Sequence, residues 1–115
     1  MRRMLLGTVT AIACLAFAHT ASAQDAKVDK GKKVYADQKC SMCHSIEGKG
    51  NAKGPLDSVG STLTEDEIHS WIVEPAKMTA KTKAERKPPM PAKYASLPKE
   101  DIDALVAYLG SLKKK

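Results

Sequence analysis

Apolar residues along this chain fall into separate blocks, and each block predicts a different kind of segment. The first, Met4 to Ala18, is a continuous run without charge. In the next, Val28, Gly31, Val34 and Tyr35 recur at helical spacing and predict a helix from about Val28 to Lys39. Gly31 would cost that helix about 1 kcal/mol relative to alanine. Close approach of another helix explains it better than local propensity does. Ser45 to Ser61 carries Gly48, Gly50, Gly54, Pro55 and Gly60 and reads as loop. Thr64-Glu65-Asp66-Glu67 then matches a capping box, with acidic residues suited to the positive end of a helix. Ile68, Trp71 and Ile72 make one apolar face of this second helix, and Pro75 is expected to end it. Ala76 to Pro91 shows no apolar period and predicts an irregular segment. A last helix is predicted from near Pro98 to about Leu112, with a stripe of Ile102, Leu105, Val106 and Leu109 flanked by Tyr108. No strand-like alternation and no internal repeat is present, so the expected fold is small and all-α.

The leading block changes the domain boundaries. Arg2 and Arg3 precede it, and Ala21-Ser22-Ala23 follows as an A-x-A cleavage site, which predicts a signal peptide over residues 1–23. The apolar run is short for a membrane span, which needs about 20 residues, and no stop-transfer pattern follows. An uncleaved N-terminal anchor is the alternative. Lipidation at Cys14 is disfavoured because Leu15 to Ala18 continues the apolar run where a tether should be polar. Export to the periplasm or beyond leaves one domain, residues 24–115. It carries 17 basic and 13 acidic residues, a net charge of +4. Its aromatic residues are Tyr35, Trp71, Tyr94 and Tyr108. A chain this small buries a limited core and gains from a large apolar cofactor.

Candidate chemistry lies at Cys40-Ser41-Met42-Cys43-His44. Two thiols three residues apart match the spacing for thioether attachment to the vinyl groups of one haem, and the adjacent histidine falls beneath the iron. The sixth iron position then needs another ligand. Met42 lies inside the attachment loop and cannot reach the opposite face of the ring. Met90, in Lys87-Pro88-Pro89-Met90-Pro91, sits on backbone that its prolines hold extended. Met78 is its rival, and His69 falls in the polar part of the second helix as a surface histidine. A thioether opposite an imidazole would raise the reduction potential.

With these residues in view, the mature chain resembles a class I cytochrome c of the short bacterial type over nearly its whole length. Gly31-Lys32-Lys33-Val34-Tyr35 and Leu105-Val106-Ala107-Tyr108-Leu109 are similar to that family's paired terminal helices. Gly54-Pro55-Leu56 resembles its Gly-Pro-x-Leu loop, and Met90-Pro91 its methionine-ligand segment. The resemblance implies terminal helices packed crosswise, with a middle helix and long loops around one covalent haem c. It implies Cys40 and Cys43 as thioether links, His44 as proximal ligand and Met90 as distal ligand. It also assigns the Pro55 carbonyl as acceptor of the free ring nitrogen of His44, a bond that orients the ligand. Trp71 is expected to reach a haem propionate or to fill the core. An extra residue between Tyr35 and Cys40, and a longer stretch between Pro75 and Met90, depart from the mitochondrial form.

A closed His/Met site predicts a monomeric one-electron carrier rather than an enzyme. Lys77, Lys81, Lys83, Arg86, Lys87 and Lys93 face one acid, Glu85, in the stretch before and after Met90. This charge predicts redox partners with acidic docking surfaces. Nucleic acid is not an expected partner, since no stacking aromatics are interleaved. The alternative is a haem peroxidase or gas-binding protein with a labile sixth ligand, although no distal acid–base pair is evident. A haem-free thiol pair lacks a βαβ context, and zinc would need His69 as an improbable fourth ligand.

Overall fold

The computed structural model describes residues 16–114. Its helices are α1 (Ala16–Asp37), α2 (Val59–Thr62), α3 (Glu65–Val73), α4 (Pro75–Thr82) and α5 (Lys99–Gly110). Short 3₁₀ turns occupy Cys40–Met42 and Ala92–Ser96, and β1 (Ser45–Ile46) pairs antiparallel with β2 (Lys49–Gly50). The all-α expectation holds, with this hairpin as a small addition. Two-residue strands are too short to show alternation in the sequence. Glu47 and Gly48 close the hairpin, both with positive φ.

Helix α1 starts well before the predicted Val28, through an alanine-rich stretch that favours helix. The leader expected over residues 1–23 falls outside the described residues up to residue 15, as does Cys14. Among the described residues, no helix is long and apolar enough to cross a membrane.

The principal packing joins α1 to α5. Gly31 is buried at the crossing, where a Cβ would collide with the Ala104 carbonyl and the Tyr108 side chain. Close approach is therefore the reason for this glycine. Tyr35 and Tyr108 then meet edge to face with centroids 5.9 Å apart. Lys30 lies 3.5 Å from both Glu100 and Asp101, bridging the same pair of helices at its polar edge. Ile68 and Ile72 of α3 complete a core with Val34, Ile102, Leu105 and Leu109.

The predicted capping box opens α3. Thr64 Oγ1 accepts the Glu67 amide at 3.1 Å, and Glu67 Oε1 accepts the Thr64 amide at 3.0 Å. The segment after it differs from expectation. Pro75 does not simply end a helix but starts α4, so Ala76 to Thr82 is helical rather than irregular. Proline at the first helical position loses no needed hydrogen bond and has its φ preset. Met78 is buried beneath this helix, and Lys83 ends it in the left-handed conformation. The irregular stretch is thereby reduced to the residues between α4 and the 3₁₀ turn that begins at Ala92.

Candidate cofactor site

The Cys40–His44 segment follows α1 through a sharp local turn. Lys39 adopts a left-handed conformation with φ 56°, and the 3₁₀ turn Cys40–Met42 begins immediately after it. The Cys40 carbonyl accepts the amides of Cys43 at 3.1 Å and His44 at 2.9 Å. This winding brings Cys40, Cys43 and His44 to the wall of one cavity of about 530 Å³. Asn51, a residue that the motif reading missed, fastens the hairpin to this turn. Its amide donates to the carbonyls of Ser41 and His44 at 3.0 Å each, and its side chain donates to the Met42 carbonyl at 3.2 Å. An asparagine beside Gly50 carries no spacing signal, so it was not visible from the sequence.

His44 Nδ1 lies 3.1 Å from the Gly54 carbonyl oxygen. A carbonyl only accepts, so Nδ1 carries the proton and Nε2 keeps its lone pair. The acceptor differs from the expected Pro55 carbonyl by one residue. The cause is the pairing of this loop with Ser45: the Ser45 amide also donates to Gly54 O, at 3.0 Å, and Leu56 N donates to Ser45 O at 2.8 Å. Pro55 instead contributes to the cavity wall. Burial, above all, lowers the His44 pKa below its ordinary value; the bond to Gly54 opposes this and the nearby Arg86 cation adds to it. A neutral imidazole is the form that binds a metal.

Met90 is half-buried against the core and lines the cavity together with Pro88, Pro89 and Pro91. Met78 is buried at 5 % exposure but is not part of this wall. His69 is exposed and also lies outside it, whereas Trp71 is half-buried within it. Met42, between the two cysteines, is 71 % exposed. Of the expected ligand and its rival, Met90 lines the cavity and Met78 does not.

The residues present fit a large apolar ring with a central metal. Leu56, Ile68, Ile72, Leu105 and Leu109 supply apolar walls, and two free thiols, an imidazole and a thioether supply the donors. Tyr35 Oη, in the same wall, is buried without a hydrogen-bond partner. Among the described residues, no group of three or more His, Cys, Asp and Glu side chains is arranged to hold a metal ion by itself. Burial raises the Cys40 thiol to about 11.

Comparison with known proteins gives a concordant result. The family model described as Cytochrome c matches residues 28–113. A curated relative, cytochrome c oxidase subunit 2 of Alkalihalophilus pseudofirmus, is 32% identical over 94 residues, which is 74% of this chain and 25% of that protein. The chain thus spans about a quarter of the length of the curated relative it matches. No solved structure gives a significant match.

Proposed function

The chain belongs to the cytochrome c family, a family of haem-binding electron-transfer proteins, and from that premise we propose that it is an exported mono-haem one-electron carrier in which His44 and Met90 would ligate the iron. The observation that carries this reading is the shared cavity. Cys40, Cys43, His44 and Met90 all line it, and Met78 does not. The c-type haem that the family implies supplies, when bound, the one-electron iron couple.

The chain's own residues do the rest. Cys40 and Cys43 would hold the ring covalently, and the Gly54 carbonyl, by accepting a hydrogen bond from His44 Nδ1–H, keeps the lone pair of Nε2 available. The prolines around Met90 hold its thioether at the cavity wall, where it would serve as an iron ligand that favours the reduced state. Trp71, half-buried in the cavity wall, would pack on the ring or reach a propionate. Leu56, Ile68 and Ile72 exclude water, which limits the reorganisation that accompanies a change of iron charge.

Residues 1–23 act as the export signal, and the domain of residues 24–115 works as a monomer. Its redox partners dock through acidic surfaces, since Lys77, Lys81, Lys83, Lys87 and Lys93 are all exposed. The likeness to part of an oxidase subunit supports an electron-transfer role.

An absorption spectrum of the mature protein, oxidised and reduced, with and without carbon monoxide, tests the core of this reading. A low-spin spectrum that carbon monoxide leaves unchanged is expected. A ready shift would favour the labile-ligand alternative, a peroxidase or gas binder. The mass of the protein recovered after expression with its leader checks removal of residues 1–23.

A further inference from the structure

We propose that Arg86 positions the proximal side of the haem site and sets its potential, by placing a guanidinium from the Met90 segment against Gly54, the residue that holds His44. The inference rests on the haem reading above. Gly54 is buried, and its φ lies outside the left-handed region, so its backbone does not require glycine. The space does. A Cβ at Gly54 would collide with Arg86 Nη1 and with the Cys43 carbonyl oxygen. The missing side chain is the seat of the guanidinium. On the other side of Gly54 its carbonyl oxygen lies 3.1 Å from His44 Nδ1. Arg86 therefore stands one residue removed from the proximal ligand, although it comes from the segment that carries Met90.

Two consequences follow from this placement. Arg86, itself exposed, brings the segment before Met90 up against the loop after His44. It also brings a charge that no carboxylate offsets, because Arg86 takes part in none of the ion pairs among the described residues. A cation near iron disfavours the oxidised state, which is the more positive one, and so raises the potential. A planar guanidinium fits the flat space over a glycine, and it stays charged at every working pH.

The test is potentiometric titration of the haem-loaded mature protein beside Arg86→Gln and Arg86→Lys. Glutamine keeps a planar head without the charge, and lysine keeps the charge. At a fixed applied potential, Arg86→Gln should lower the reduced-to-oxidised ratio by about threefold to tenfold, the latter being about 59 mV for one electron. Arg86→Lys should restore at least half of that change. A glutamine variant with the wild-type potential would overturn the proposal, and so would a lysine variant that falls as far as glutamine. A carbon monoxide spectrum of the wild type keeps the underlying reading separate. A shift there would remove Met90 from iron, while the Arg86 comparison would still report on the His44 side.

Discussion

At Gly31 local preference and packing pull in opposite directions. Alanine is the better helix former by about 1 kcal/mol, but its methyl would overlap the Ala104 carbonyl and Tyr108 of α5. Overpacking of that kind costs about 1–3 kcal/mol, so Gly31→Ala is expected to lower the urea midpoint. A raised midpoint would show that the two helices do not meet there. The methionines separate in the same manner. Met90→Ala should open the sixth iron position to carbon monoxide with a smaller effect on folding. Met78→Ala should leave the spectrum intact and cost about 2–5 kcal/mol of stability, as truncation of a buried side chain does. If Met78→Ala opens the iron instead, the ligand assignment is wrong. That Cys40, Cys43 and His44 share one cavity wall was legible in the sequence, because adjacency along the chain dictates it. The acceptor for His44 was not. Gly54 and Pro55 are neighbours, and only the pairing of their loop with Ser45 decides which carbonyl faces the ring.

Among the elements, α3 and α5 were legible from their apolar periods, and α3 also from its cap. Thr64→Ala removes the hydroxyl that accepts the Glu67 amide and should cost about 1 kcal/mol by thermal or urea unfolding. An unchanged stability would mean that α3 is held by its core contacts alone. Helix α4 was missed for a physical reason. Proline is both a stop within a helix and a good first residue of the next, and the flanking sequence does not say which applies. What favours the second here is burial of Pro75 and Met78 beneath neighbouring elements. The threonines of α4 turn inward to their own helix, Thr79 donating to Pro75 O and Thr82 to Met78 O at 2.8 Å each. Their hydroxyls are thus satisfied without solvent, and the sequence shows polar residues where the structure has a packed helix.

For the whole molecule, the tyrosines make stability depend on alkali. Burial pushes the Tyr35 hydroxyl up to about 12, and burial also raises Tyr94 and Tyr108. An unfolded tyrosine ionises at about 10. Between about pH 10 and 12 the folded chain keeps protons that the unfolded chain releases, so unfolding becomes easier as pH rises through that window. Their stabilising contribution is complete below about pH 10. Denaturant midpoints should therefore fall between pH 9 and pH 11, and phenolate absorbance should report delayed ionisation in the native state. A flat midpoint across that interval would mean that the hydroxyls are not buried in solution. The exposed lysines act at the same scale. Electron transfer to an acidic partner should slow as salt is added, because the Debye length shortens from about 10 Å at 0.1 M to about 3 Å at 1 M. A salt-independent rate would assign those lysines to solubility.

The sequence by itself determined what depends on short separation along the chain. The thiol and imidazole spacing at Cys40 to His44, the capping box at Thr64 and the apolar stripe of the last helix are of this kind. Each is dictated by covalent reach or by the pitch of a helix. Tertiary structure decided which distant residues face one another. It set Gly31 against Ala104, aimed the Gly54 carbonyl at His44 Nδ1–H, put Met90 rather than Met78 on the cavity wall, and seated Arg86 over Gly54. Those choices rest on mutual packing of α1, α3 and α5 and of the loops between them. No local pattern encodes them, because the energy of each contact belongs to two segments at once.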